Sequence, residues 1–248
     1  MTKAKPKRRT WPAALPVLLA LGVVGALGWH WLSGLTCRTI EVTGMRHADR
    51  EAILDLARVD TGMVLFDIDP ALVADRVTRH PWVAEAEVAR LPTGTLAIEV
   101  RERRPVALVL DRTGMPSHYL DAAGAQMPLT PGIVHDVPLV RGLRRPYHPV
   151  RPVENAEVRA LLAALAAAPP EVEALVSEVE VRPGNELWVY TTPDGVHGAV
   201  PVRLGRIGFA EKLSRLHAFW QQAVLPRPDK AFRLIDLRFD SQIVTEEP

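Results

Sequence analysis

The longest hydrophobic stretch of the chain lies near its start. Residues Pro12–Leu32 form an uncharged run that is rich in Leu, Val, Ala and Gly. As a helix, this run would be about 31 Å long, close to the roughly 30 Å hydrocarbon core of a bilayer. The residues before it include five basic ones and no acidic one (Lys3, Lys5, Lys7, Arg8 and Arg9). The pattern predicts a transmembrane helix at 12–32 behind a cytoplasmic tail at 1–11, with the rest of the chain outside the cytoplasm.

Two alternatives compete with a retained anchor. A cleaved secretory signal has similar flanking charges, but its apolar core is usually about 7–15 residues long and ends at an A-x-A-like site. This run is longer, no such site follows, and Thr36 before Cys37 fits lipoprotein cleavage poorly. A buried helix of a soluble domain is disfavoured by the basic flank. Gly22 and Ala26 form a small-xxx-small pair, so packing against a partner helix is a hypothesis beside that of a plain anchor.

Beyond this run, stretches of period two alternate with stretches of helical period. Asp69-Pro70 is a strong helix start, because an Asp N-cap precedes a proline at the first helical position. Pro92-Thr93-Gly94 is typical of a hairpin turn. The predicted elements are a strand at Cys37–Gly44, helices at Asp49–Arg58 and Asp69–His80, and strands at Trp82–Leu91 and Thr95–Arg103. This order predicts a three-stranded sheet covered on one face by two helices.

After Pro105, strands outnumber helices. Pro169-Pro170 ends a helix with one apolar stripe, and Pro201 is allowed in a strand only at an edge or a bulge. The predicted elements are strands at Val106–Leu110, Tyr119–Gly124, Val176–Arg182, Leu187–Thr191 and Val196–Leu204, helices at Glu154–Ala168 and Gly205–Ala223, and a last strand within Phe232–Val244. The predicted fold class is α+β, with one domain at 37–104 and a mixed α/β domain at 105–245.

Charge and cysteine content narrow the function classes. The chain has 30 basic and 29 acidic residues. Five of the basic residues lie in the tail, so the rest of the chain has 25 basic and 29 acidic residues. This acidic balance argues against a nucleic-acid binder, which needs a basic face. The single Cys37 allows no intrachain disulfide, and we interpret it as a small residue that enters the first strand.

No catalytic motif is visible. No serine lies in a G-x-S-x-G elbow, the eight histidines form no H-E-x-x-H motif, and there is no glycine-rich phosphate loop. His118 with Asp121, and His135 with Asp136, could be drawn as acid–base pairs, but such neighbours in loops are usually solvated. We predict no active site, no metal, no cofactor and no small-molecule substrate.

Several short motifs stand out in the two predicted domains. In the first domain they are Pro81-Trp82-Val83, Val88-x-Arg90-x-Pro92 and Leu96-x-Ile98-x-Val100-x-Glu102-Arg103-x-Pro105-Val106-Ala107. In the second they are Asp121–Gly124, Pro138–Gly142, Val202-x-Leu204-Gly205 and Leu234–Phe239. Together these motifs resemble the FtsQ/DivIB family of bacterial cell-division proteins, with Phe239 where the family has Tyr. The resemblance implies a β-α-α-β-β POTRA domain at 37–104 and an FtsQ-type beta domain at 105–245 that ends in an edge strand. Glu102, Arg103 and Arg104 are interpreted as structural residues of the domain junction.

The resemblance also implies a binding segment. In the family, the last strand leads to an edge segment that receives the extracytoplasmic part of a small coiled-coil partner by strand addition. An edge strand offers unpaired backbone groups for this purpose. The implied partner-binding residues are Arg238, Phe239, Ser241, Gln242, Ile243 and Val244. The alternative is that Arg238 and Phe239 only complete the sheet.

The expected function is that of a non-enzymatic bitopic scaffold of the division machinery, which works with small bitopic partners of the FtsB/FtsL type during septum formation. The expected location is the inner membrane at the division septum, as a single-pass type II protein with periplasmic C-terminal domains. The main alternative is a POTRA protein of outer-membrane assembly or polypeptide transport. Tandem POTRA repeats, which that alternative predicts, are not visible in the sequence. An exported hydrolase is a third possibility.

Overall fold

The computed structural model describes residues 14–239 and 241–247. It begins with helix α1 (Ala14–Ser33), whose large apolar side chains from Val17 to Trp29 are more than half exposed. Within the described residues, no helix was found that combines the length and the apolarity needed to cross a bilayer. The predicted tail at 1–11 and the first two residues of the predicted span lie outside the described residues. A transmembrane helix at 12–32 therefore stays a prediction.

The first sheet has three strands, β1 (Thr39–Thr43), β2 (Val83–Leu91) and β3 (Thr95–Glu102), in the order β1-β3-β2. β1 is parallel to β3, and β2 is antiparallel to it. Helices α2 (Arg50–Ala57) and α3 (Pro70–Val77) pack with β3 in one core. The β-α-α-β-β order expected from the sequence is confirmed.

The two helices begin where their capping residues require. Asp49 accepts a hydrogen bond from the amide of Ala52, and Asp69 accepts one from the amide of Ala71 at 2.9 Å. Helix α3 ends at Val77, earlier than predicted, because the amide of His80 bonds to the carbonyl of Val77, three residues back, in a tighter turn. Local capping therefore sets both starts, whereas a local turn sets the end of α3.

The second sheet has nine strands in the order β12-β11-β10-β9-β8-β7-β4-β5-β6. Its strands are β4 (Ala107–Leu110), β5 (Pro116–Leu120), β6 (Gln126–Pro128), β7 (Leu139–Arg141), β8 (Val176–Arg182), β9 (Glu186–Thr191), β10 (Pro201–Gly205), β11 (Leu234–Asp236) and β12 (Val244–Glu246). Its helices are α4 (Ala156–Ala167), α5 (Pro170–Glu173) and α6 (Phe209–Phe219), and α6 continues as one π-helical turn at Trp220–Val224. The inward side chains of the strands and the apolar stripes of the helices form the main core.

Two elements of this domain start at least four residues later than predicted. The strand expected from Val196 begins at Pro201, because Asp194 closes a loop by accepting hydrogen bonds from the amides of Val196 and His197. Pro201 opens β10, where its missing N–H interrupts the ladder least. The helix expected from Gly205 begins at Phe209, since Gly205 and Gly208 have φ angles of 81° and 72°, which an α-helix excludes.

Gly142, which follows β7, is held in a close backbone contact. Its φ is 87°, and a Cβ atom there would lie 2.4 Å from the carbonyl oxygen of Val181. Gly132 has a similar φ of 79°, but a Cβ atom there would meet nothing within 4 Å. We expect Gly132→Ala to lower the free energy of unfolding by about 1–2 kcal/mol, the cost of the left-handed conformation. Gly142→Ala should cost at least about 3 kcal/mol, because the clash adds to that strain.

Urea titrations of both variants would test this difference. Equal losses for Gly132→Ala and Gly142→Ala would show that β7 and β8 can separate freely at this point, contrary to the contact seen.

Candidate partner-binding edge and domain junction

The C-terminal edge of the large sheet is formed by β12, which pairs antiparallel with β11 and has no described strand on its other side. The strand predicted to continue through Phe239 instead ends at Asp236. The Asp236 carboxylate accepts a hydrogen bond from the backbone amide of Arg238 at 3.0 Å, which turns the chain out of the sheet. Of the six predicted binding residues, only Val244 lies in a strand.

The other predicted residues lie in the loop between β11 and β12, which Arg215 of α6 holds in place. Its guanidinium donates hydrogen bonds to the carbonyl oxygens of Phe239 and Gln242, at 2.9 and 3.0 Å. Sequence reasoning missed Arg215, because nothing in the helical pattern of α6 distinguishes it from a solvated arginine. Its contacts make the loop a defined part of the edge.

The exposure of the predicted residues divides them into two groups. Phe239 and Val244 are 44% and 39% exposed, and Ser241 and Gln242 are exposed as well. Ile243 is half-buried and packs against the main core. The exposed predicted residues are therefore Arg238, Phe239, Ser241, Gln242 and Val244, while Ile243 lies beneath them.

Arg238 is already paired within the chain. Its Nη2 atom lies 2.7 Å from a carboxylate oxygen of Asp236, and its guanidinium lies 5.7 Å from the centre of the Phe239 ring. Burial by itself would raise the pKa of Asp236, but hydrogen bonds from the side chain and backbone of Arg238 outweigh it and hold that pKa below its usual range. A carboxylate of a partner would therefore share Arg238 with Asp236.

A second cluster joins the two sheets, and Trp82 is its centre. The indole is 2% exposed, stacks on the His47 ring at a centroid distance of 4.5 Å, and meets Tyr119 at 6.3 Å. Met127 from the second sheet belongs to the same buried cluster. The Pro-Trp-Val motif therefore places a large aromatic side chain between the domains.

Glu102 stabilises the first-domain side of this junction. Its carboxylate accepts hydrogen bonds from the backbone amides of Arg46, His47 and Ala48, each at 2.8 Å, and lies 2.7 Å from Nδ1 of His47. Burial by itself would raise the pKa of Glu102, but the bonds from Ala48, Arg46 and His47 hold it below its usual range. Glu102 thus fixes the loop that carries His47 beneath Trp82.

Arg103 bridges to the second domain. Its amide donates to the carbonyl oxygen of Trp82 at 2.8 Å, and its Nη1 atom lies 2.7 Å from Asp121. The other carboxylate oxygen of Asp121 accepts hydrogen bonds from the amides of Ala123 and Ala125. The Glu-Arg motif and the turn before Gly124 therefore meet across the junction. Arg104, in contrast, is exposed and lies 3.5 Å from Glu173.

The expectation that His118 and Asp121 are solvated is wrong. They are 2% and 8% exposed, and the two side chains are not bonded to each other. His135 is half-buried at the junction, where its ring centre lies 5.3 Å from that of His47, and Asp136 is exposed. The centre of the His118 ring lies 5.3 Å from that of Tyr147, and Asp121 pairs with Arg103 of the first domain, so segments distant in sequence bury residues that appear as loop neighbours.

A cavity of about 480 Å³ lies beside His118. Several polar side chains that line it already have partners within the chain. Gln126 forms hydrogen bonds with the backbone of Arg151 and His148. Arg145 pairs with Glu154 at 2.6 Å. In the part of the chain that is described, no group of three His, Cys, Asp or Glu side chains could hold a metal ion. Among the described residues, His118 beside this cavity bonds to the Ser117 hydroxyl through Nδ1, and its Nε2 atom has no carboxylate partner.

The predicted helix-packing pair on α1 is open to its surroundings. Gly22 and Ala26 are exposed, and a Cβ atom on Gly22 would meet no described atom within 4 Å. A partner-contacting role for this pair stays a prediction.

Comparison with known proteins identifies the chain. Residues 35–103 match the family described as "POTRA domain, FtsQ-type", and residues 104–246 match the family described as "FtsQ/DivIB, C-terminal related". The chain belongs to the FtsQ/DivIB family of cell division proteins. The family resemblance expected from the motifs is thereby confirmed, and the first sheet with its two helices is the POTRA domain.

Two FtsQ relatives match nearly the whole chain. "Cell division protein FtsQ" of Rhodothermus marinus is 54% identical over 94% of this chain and 84% of its own length. The protein of the same name from Salinibacter ruber is 43% identical over 92% of this chain and 90% of its own.

Among solved structures, the major extracytoplasmic domain of the trans isomer of DivIB from Geobacillus stearothermophilus is 23% identical. The match covers 51% of this chain and 96% of that one, with a TM-score of 0.34. Membership of the FtsQ/DivIB family favours a role in cell division over polypeptide transport.

Proposed function

We propose that this protein is a non-enzymatic bitopic scaffold that links other proteins of the division machinery at the septum. The N-terminal helix would anchor it in the inner membrane with the tail in the cytoplasm, and the domains at 37–104 and 105–245 would work in the periplasm. The family of division proteins supports the role in division. The basic flank and the apolar sequence of 12–32 support the anchor and its orientation.

We further propose that β12 captures an extended segment of a small bitopic coiled-coil partner of the FtsB/FtsL type by strand addition. The observation that carries this proposal is the open edge of β12 beside the exposed side chains of Phe239 and Val244. An added strand would gain main-chain hydrogen bonds from β12, and the apolar side chains would select the register. Arg215 would act as a positioning residue that holds the neighbouring loop.

Charged substitutions at the exposed positions provide the test. We expect the double variant Phe239→Asp, Val244→Asp to bind the partner at least about 30-fold more weakly, since loss of a hot-spot residue costs about 2 kcal/mol or more. Affinity can be measured by titration of the purified, solubilised protein with the partner, and circular dichroism would report on the fold. Ile243 is left unchanged because it packs against the core.

The control is Val134→Asp, which places one such charge, against two in the double variant, at a side chain that is 86% exposed in a distant loop. Its affinity should equal that of the wild type. Unchanged binding by the folded double variant would show that the partner docks elsewhere.

A further inference from the structure

One end of the POTRA domain carries a small exposed apolar surface that the proposed function does not use. Met63, Phe66 and Leu91 are 42%, 40% and 39% exposed, and we call these three residues the α1-side surface. Phe66 and Leu91 also line a cleft of about 210 Å³. Large apolar side chains that cluster at the surface mark a contact with another apolar phase or molecule.

Helix α1 is joined to this surface by backbone pairing rather than by a free linker. The amide of Cys37 donates to the carbonyl oxygen of Met63, and the amide of Leu65 donates to that of Leu35, both at 2.8 Å. Thr36 and Val64 form an antiparallel bridge between these bonds. The direction of α1 therefore fixes which end of the POTRA domain lies next to it.

The apolar surface of α1 continues into the α1-side surface. The ring of Trp29, which is 69% exposed near the end of α1, has its centre 6.4 Å from that of Phe66. A tryptophan ring at the end of an apolar helix is typical of the boundary between acyl chains and headgroups, and Phe66 lies beside it. The continuity favours a bilayer as the phase that covers both.

Charged groups of both signs lie around the surface. The guanidinium of Arg90 lies 5.0 Å from the centre of the Phe66 ring and donates a hydrogen bond to the Phe66 carbonyl oxygen at 3.0 Å. Arg38 is exposed beside the hairpin turn at Gly94. Exposed acidic residues also occur in the adjoining segment (Asp60, Asp67 and Asp69). Burial of the apolar side chains, rather than attraction to anionic lipid, would therefore supply the contact, with the two arginines reaching the phosphates.

We propose that the α1-side surface lies in the headgroup layer of the bilayer that holds α1, so that the POTRA domain rests on the membrane at a fixed angle. This proposal rests on the proposed anchoring of α1. A POTRA domain in contact with the bilayer would fix the distance of β12 from the membrane and the direction in which it points, because the Trp82 junction couples the two domains.

Spin labels on the full-length protein in phosphatidylcholine vesicles would test the proposal. Cys37 is 1% exposed, and burial raises the pKa of its thiol, so engineered exposed cysteines react selectively. Labels are placed by Leu91→Cys on the surface, Val24→Cys on α1, and Val134→Cys as the solvent control. Collisions of each label with oxygen, which enters the bilayer, and with a water-soluble nickel chelate, which does not, report its depth.

We expect the oxygen-to-nickel collision ratio at residue 91 to exceed that at residue 134 several-fold and to place the label within about 10 Å of the headgroup boundary. If residue 24 lies in lipid but residue 91 matches residue 134, this proposal is overturned and the anchoring stands. If residue 91 is shielded from both reagents, a protein contact covers the surface and the proposal is likewise overturned. If residue 24 also lies in water, the anchoring itself fails.

Discussion

Trp82→Ala is expected to lower the free energy of unfolding by about 3–5 kcal/mol, the usual cost of deleting a buried Trp or Phe side chain. Trp82 is 2% exposed, and its indole contacts both the loop of His47 and the second domain at Tyr119. The cavity cannot close easily, because Glu102 and Arg103 hold its walls through hydrogen bonds. The loss should therefore approach the upper part of this range.

The same substitution should also uncouple the domains. The POTRA core and the main core are separate clusters, and Trp82 belongs to the small cluster between them. Calorimetry of the variant should therefore show thermal transitions for the two domains that lie further apart than in the wild type. Trp188→Ala is the control, since that indole lies half-buried on the outer face of the sheet, under the Arg182 guanidinium at 3.6 Å.

We expect Trp188→Ala to cost about 1 kcal/mol, the value of an exposed cation–π contact, and to leave the separation of the transitions unchanged. If Trp82→Ala loses no more free energy of unfolding than Trp188→Ala and leaves the separation of the two transitions unchanged, the junction contributes little to stability.

Acid should destabilise the protein through His118, by an amount on the order of 3 kcal/mol. Burial lowers the pKa of His118 to about 4, and each pKa unit is worth about 1.4 kcal/mol. Because the folded-state pKa lies below the unfolded-state value, the unfolded chain binds the proton more tightly. This contribution to stability is complete above about pH 6.5 and is lost as the pH falls from there to about 4.

His118→Phe should remove this acid sensitivity. Nδ1 of His118 lies 2.9 Å from the Ser117 hydroxyl, whereas Nε2 is buried with no hydrogen-bond partner among the described residues. An apolar ring of similar shape removes the unpaired nitrogen, so stability at pH 7.5 should be retained or slightly increased. Urea titrations at pH 7.5 and pH 4.5 measure the difference.

The control for this experiment is His217→Gln, at a half-buried position on α6. The variant should lose as much stability on acidification as the wild type. If His118→Phe also loses as much as the wild type, other groups dominate the acid response, and His80 and His135, whose pKa values are also lowered chiefly by burial, would be tested next.

Sequence patterns predicted most of the architecture because the responsible forces are local. Helices α2 and α3 begin where Asp49 and Asp69 cap them, since a cap needs only the next three residues. The POTRA order of elements follows from periodicity, and the combination of short motifs was sufficient to recognise the family. The motif residues Glu102 and Arg103 were placed at the domain junction by order alone, whereas the position of Trp82 between the domains became visible only in the structure.

Tertiary structure decided the features that depend on distant partners. β12 has only three residues, too few to show a periodic pattern, and forms because β11 lies beside it. Arg215 reaches the loop at Phe239 and Gln242 across 24 and 27 positions of sequence. The centre of the His118 ring lies 5.3 Å from that of Tyr147, which belongs to a loop distant in sequence.

The chain by itself therefore determined the order of elements in the POTRA domain, the family and the apolar character of the first helix. Only the fold decided that Phe239 and Val244 are exposed while Ile243 is not, and that His118 carries an unpaired nitrogen. The physical reason is that capping, turns and periodicity act over a few residues, whereas burial and edge formation depend on which segments pack together.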